Sequence, residues 1–247
     1  MKELYFVYHL PKTGGQTIRD HLDSKLERDR DFLHLGKWDR SRPLDFDDVA
    51  ALSDQQRADL RAVGGHPLTR DFGSLFPERV IREVVLVREP ASRLVSHYNF
   101  RATMCERDGR PVPSFDEFNA RFAPNPLTGF LARRLVIPHG PTMLSGILAA
   151  LSSIWMVGTT ESLDDLTPTL FSCLGLDPEV ALRTNVSGDT IDRHQTLDPE
   201  LADRLRAEAP LDVMLYAACQ RLERQTMIRL GLADESKPRR PLGFAPE

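Results

Sequence analysis

Leu4-Tyr5-Phe6-Val7-Tyr8-His9-Leu10, followed at once by Pro11-Lys12-Thr13-Gly14-Gly15-Gln16-Thr17, decides how this chain folds. A short, continuous apolar run reads as a strand covered on both faces, and the glycine pair ends it by allowing backbone conformations closed to other residues. Ile18, Leu22 and Leu26 then recur at helical spacing, which predicts a helix over about residues 15–29 that begins inside the loop. Strand, glycine loop and helix together make an anion site, because the first N–H groups of a helix lack intrahelical partners and sit at the positive end of its dipole. Lys12 adds a mobile positive charge, and Thr13 and Thr17 add hydroxyl donors. A phosphate-like group is expected here.

The order of residues separates this loop from the common nucleotide signature, which places its lysine after the last glycine and follows it with a magnesium-binding Ser or Thr. Here Lys12 precedes Gly14 and Gly15. Taken alone, the loop also fits a plain strand-to-helix turn with a solvated lysine.

The length of 247 residues suits one well-buried α/β domain, expected over residues 1–232, with the polar, basic, proline-rich segment 233–247 read as a poorly ordered tail. The net charge of −4 excludes a broad basic field for nucleic acid, so a polyanionic ligand must be held by locally placed cations. Cys105, Cys173 and Cys219 show no metal or redox spacing and are expected to be reduced packing residues; no metal is expected. No apolar run reaches membrane-spanning length and no signal segment is evident, which points to a cytoplasmic enzyme.

Val84-Val85-Leu86-Val87 reads as a second buried strand, ending in Arg88-Glu89-Pro90. Pro90 suits a first helical position, and Leu94, Tyr98 and Ala102 supply the stripe of the helix that follows. Residues 36–45 and 106–113 read as loops. Helical patterns fall near 53–60, 114–122, 127–135, 144–151, 198–209 and 211–230, and Ile154 to Val157 reads as a further strand. Thr167-Pro168 is read as the start of a helix stopped by Gly175. Alternating strands and helices predict an α/β fold with a central parallel sheet flanked by helices, whose ligands sit beyond the carboxyl ends of the strands. The lysine loop and Arg88 both lie at such ends. Arg88 and Ser96, eight residues apart, can face one anion, although an arginine at a strand end also commonly pairs with a neighbour such as Glu89.

Together these segments resemble a known family. His9-Leu-Pro-Lys-Thr-Gly-Gly-Gln-Thr17 is similar to the 5′-phosphosulfate loop of sulfotransferases that use 3′-phosphoadenosine 5′-phosphosulfate (PAPS), and Val85-Leu-Val-Arg-Glu-Pro-Ala-Ser-Arg-Leu-Val-Ser-His-Tyr98 is similar to their 3′-phosphate motif. Gly64-Gly-His-Pro67, Val157-Gly-Thr-Thr-Glu161 and Leu211-Asp-Val-Met-Leu-Tyr216 extend the likeness toward the carbohydrate branch, of the heparan sulfate 2-O-like kind. Gln16 stands where a small hydroxyl residue is more usual.

The resemblance implies a three-layer, P-loop-like fold and PAPS as sulfuryl donor, released as adenosine 3′,5′-bisphosphate. Lys12, Thr13, Gly14, Gly15, Gln16 and Thr17 would bind the 5′ end, Lys12 stabilising the leaving group, and Arg88 and Ser96 would bind the 3′-phosphate. His66, after Gly64 and Gly65, matches the base that activates an acceptor hydroxyl, a saccharide hydroxyl by family branch. His9 reads as a loop brace and His97 as a lining residue. Arg93 and the pair Arg193-His194 are weaker candidates for nucleotide contact, and Arg133-Arg134 reads as a solvated face or an acidic acceptor's greeting. A P-loop-type kinase or hydrolase and a non-catalytic nucleotide-binding protein are the competing readings. The first needs a magnesium-binding hydroxyl after the lysine and an acidic strand end, where this chain has Arg88.

Overall fold

The computed structural model describes residues 2–37, 41–178 and 194–233. Five strands, β1 (Lys2–Tyr8), β2 (Phe32–His34), β3 (Ala62–Gly65), β4 (Arg79–Val87) and β5 (Met156–Thr159), form one parallel sheet in the order β2-β3-β1-β4-β5. The apolar runs around Leu4 and Val84 are its two central neighbours, as buried parallel strands should be.

Side chains alternate across the sheet. Leu4, Phe6, Tyr8, Val63, Val85, Val87 and Val157 face one core, while Tyr5, Val7, Ala62, Val84, Leu86 and Met156 face the other. The second core is closed by α1 (Gly15–Lys25), through Ile18 and Leu22, and by α8 (Leu163–Cys173), through Leu166, Leu170 and Phe171. The first is closed by α6 (Pro126–Arg134), α7 (Met143–Leu151) and α10 (Pro210–Arg229), with short helices α2 (Phe46–Ala50) and α3 (Asp54–Asp59) lying before β3. A third cluster joins α4 (Pro90–Arg107), α5 (Phe115–Asn119) and α9 (Pro199–Glu208) through Leu94, Tyr98, Phe115, Phe118 and Leu205. The result is the expected three-layer α/β fold.

The chain leaves β1 through α1 on one face of the sheet and leaves β4 through α4, whose Arg93 lies over Phe130 of α6 on the other. Adjacent strands whose exits diverge in this way open a crevice at their carboxyl ends, the usual ligand position in such sheets.

Several boundaries differ from the sequence reading. β4 begins at Arg79, because a half-buried polar start precedes its apolar end. β2, only three residues long, carries too short a pattern to have been read. The helix read from Thr167-Pro168 starts earlier, at Leu163, and Pro168 lies inside it. A 3-10 turn at Thr160–Ser162 leads directly off β5 into this helix, and burial of Leu166, Thr167 and Leu170 holds it together although Pro168 donates no hydrogen bond. Gly175 does end the helical segment, in the left-handed conformation (φ 63°). The expected tail, except Ala233, lies outside the described residues, as does Arg193. No helix among the described residues is long and apolar enough to cross a membrane.

Candidate functional site

β1 delivers the loop to the crevice. Lys12 (φ 66°) and Gly14 (φ 84°) both adopt the left-handed conformation, which glycine tolerates freely and lysine does so at a cost of about 1 kcal/mol. Gly14 is the N-cap of α1, no side chain caps that terminus, and its first turn holds no acidic residue. The N-terminal dipole of α1 is thus left available to an external anion.

Lys12 is half-buried with its Nζ 4.6 Å from the centre of the Phe100 ring, and no carboxylate among the described residues pairs with it. Burial first, and then the nearby Arg88 guanidinium, lower its pKa. The hydroxyl of buried Thr13 donates to the Leu10 carbonyl (3.1 Å), which engages the proton that the sequence reading expected to face an anion. Gln16 donates to Asp20 (2.6 Å), which turns its side chain along α1.

β4 delivers Arg88 to the same crevice. Glu89, the expected competitor, accepts from the Ser92 backbone N–H (2.7 Å) as the cap of α4 and pairs with Arg206 (3.0 Å). Glu161 is hydrogen-bonded to Tyr216. Arg88 is left half-buried with no ion pair or hydrogen bond among the described residues, its pKa lowered by burial against the opposing pull of Glu161 and Glu89. Ser96, further along α4, is half-buried, and its hydroxyl likewise makes no hydrogen bond among them.

Arg93 is 1% exposed, and its Nε and one Nη have no partner. Asp212 is its nearest electrostatic counterweight, yet the Asp212 oxygens accept from the N–H groups of Leu127 (2.9 Å) and Thr128 (2.7 Å) and from the Thr128 hydroxyl (2.7 Å). His97, with a buried Nδ1 lacking a partner, is pushed down to about 4 by burial and by Arg93, Lys12 and Arg101. Beyond burial, Arg88 adds to the lowering of Lys12 and Arg93, and Arg93 and Lys12 add to that of His97, so positive charges are gathered here.

β3 brings His66 alongside. The parallel register pairs Tyr8 with Gly65, so the next residues, His9 and His66, emerge side by side. Their rings stack with centroids 4.1 Å apart. His66 Nδ1 lies 2.8 Å from the His9 carbonyl oxygen. A carbonyl only accepts, so Nδ1 carries the proton and Nε2 of the neutral ring holds the lone pair of a base. Burial, Arg134 and Arg19 lower the His66 pKa against the opposing pull of the His9 carbonyl.

Arg134 departs from the reading of the Arg133-Arg134 pair as a solvated face or an acceptor contact. Arg133 is exposed, but Arg134 is buried with its Nε unpartnered, and it bears electrostatically on both His66 and His9. The signal was present: Arg134 falls seven after Leu127 and three after Leu131, on the apolar stripe of α6. His194, by contrast, is spent on Glu106 (3.2 Å).

Comparison of the chain with known protein families gives no match, and comparison with curated proteins gives none either.

Proposed function

We propose that this chain is a PAPS-dependent sulfotransferase acting on an acceptor hydroxyl, of a saccharide by its likeness in motif. One observation carries the reading. Two half-buried cations, Lys12 and Arg88, stand at the carboxyl ends of adjacent strands without a carboxylate partner among the described residues, flanking an uncapped helix N-terminus. Paired cations at separate points suit a ligand with phosphoryl groups at two positions. The orphaned nitrogens of Arg93 favour an anionic occupant as well.

The donor supplies an SO3 group on its 5′-phosphate, transferred in line between two oxygens with little covalent work for the protein. His66 Nε2 takes the hydroxyl proton as the acceptor oxygen bonds to sulfur. The bond from sulfur to the phosphate oxygen breaks, and its electron pair stays on the phosphate. Lys12 and the first N–H groups of α1 meet that growing charge, while Arg88 and Ser96 hold the 3′-phosphate. The products are a sulfate ester, adenosine 3′,5′-bisphosphate and a protonated His66, which releases its proton to solvent.

Calorimetric binding of adenosine 3′,5′-bisphosphate against ATP, with and without magnesium, tests the reading beside a transfer assay from PAPS to a panel of hydroxyl acceptors. The bisphosphate is expected to bind tighter and without magnesium; tighter, magnesium-dependent ATP binding would sink the proposal. Arg88→Ala should reduce the preference for a 3′-phosphate by roughly 10- to 100-fold, the range of a lost charge-assisted hydrogen bond. Lys12→Ala should lower kcat by at least a comparable factor, and full turnover in that variant would remove Lys12 from the leaving-group role.

A further inference from the structure

We propose that His9 is the positioning residue of His66: its carbonyl fixes which ring nitrogen is free, and its ring fixes the plane in which that nitrogen points. The inference rests on the reading of His66 as the base. His66 is exposed on its outer side, and among the described residues its hydrogen bond and its ring contact both go to His9. The bond of 2.8 Å excludes the other tautomer, in which two lone pairs would face each other. A carbonyl alone leaves a ring free to swing about the bond, whereas the nearly parallel stack, at 22° between planes, stops that rotation.

His9 is itself locked from behind. A Cβ placed on Gly15 would come 2.5 Å from His9 Cδ2 and 3.0 Å from its Nε2, so the ring lies directly against the backbone at the start of α1. The phosphate loop, the His9 ring and the His66 ring form one continuous stack. The base is therefore held at a set height above the helix N-terminus that receives the leaving group. The charged groups around the pair are Arg19 of α1 and Arg134 of α6, with His34 of β2 behind His9. Burial and these neighbours push the His9 pKa down to about 3, so it presents a neutral ring face to His66 throughout the working range of pH.

The test compares His9→Phe, which keeps a flat ring, with His9→Leu, which fills the space without one. Long-range proton–nitrogen NMR reads the His66 tautomer, kinetics give kcat and KM, and binding of adenosine 3′,5′-bisphosphate checks that the loop is intact. The wild type and His9→Phe should show a single Nδ1–H tautomer and similar kcat. His9→Leu retains the carbonyl and with it the Nδ1–H tautomer, but should lose about tenfold or more in kcat with little change in donor KM, since ångström-scale misplacement of a catalytic group is costly. Unchanged kcat in His9→Leu, or equal damage in His9→Phe, would overturn the proposal. Full activity in His66→Ala would instead remove the base assignment, and a wild-type spectrum showing the Nε2–H tautomer of His66 would remove the role given to the His9 carbonyl.

Discussion

At the scale of single residues, the charge environment of His66 makes a prediction about pH. Its pKa is lowered chiefly by burial and further by Arg134 and Arg19. In its proposed role as base His66 must be unprotonated to act, so activity should persist as pH falls below the ordinary histidine value and disappear only as pH passes through the depressed one. Arg134→Gln removes one of the lowering charges while keeping a long polar side chain. The acid limb of kcat/KM should then move to higher pH, with the plateau rate at alkaline pH little changed. A limb that stays in place would show that Arg134 does not act on the base. Gly15→Ala makes the complementary steric prediction: its Cβ, 2.5 Å from His9 Cδ2, must displace that ring, so the variant should reproduce the loss of kcat expected of His9→Leu.

At the scale of elements, Asp212 shows how the helices that carry the site are fixed to one another. This carboxylate on α10 is 1% exposed and accepts three hydrogen bonds from the start of α6, at Leu127 and Thr128. It acts as a cap supplied from another helix, and α6 in turn carries Arg134 to the histidine pair. Hydrogen bonds to a buried charge contribute more than neutral ones, so Asp212→Ala should destabilise the fold by about 3 kcal/mol or more, read as a lower urea midpoint with little change in slope. A midpoint within error of wild type would contradict the role. The same helices show what the sequence can and cannot convey. The central strands around Leu4 and Val84, the loop at Lys12 and the start of α4 at Pro90 were legible because each is written in contiguous residues. The Asp212 cap joins residues more than eighty apart, and Arg134 faces inward only because α6 packs on the sheet. The His9–His66 stack needs the register of β1 with β3, which no local pattern states. Pro168 misled for the reverse reason: a local start signal was overridden by burial of Leu166 and Leu170 on the sheet.

At the scale of the whole molecule, the crevice concentrates positive charge in a chain whose net charge is −4. Acidic groups near it are engaged elsewhere: Glu89 with Arg206 and the α4 terminus, Glu161 with Tyr216, and Asp212 with α6. Arg88 repels both Lys12 and Arg93 while all three are partly or wholly withdrawn from water, and both effects oppose folding. Cations kept for a proposed ligand at the expense of stability should be separable from the fold by mutation. Arg88→Met retains most of the buried stem and removes the charge, so the protein without added ligand should melt higher, by about 2–4 °C for each kcal/mol relieved in a chain of this size. Adenosine 3′,5′-bisphosphate at a hundred times its dissociation constant should stabilise the wild type by about 2.7 kcal/mol. At the same ligand concentration the shift should largely vanish in Arg88→Met. Calorimetric melting of both proteins, with and without the bisphosphate, checks the two halves together. A lower melting temperature for ligand-free Arg88→Met would mean that Arg88 supports the fold, and an undiminished ligand shift would mean that it does not hold the anion.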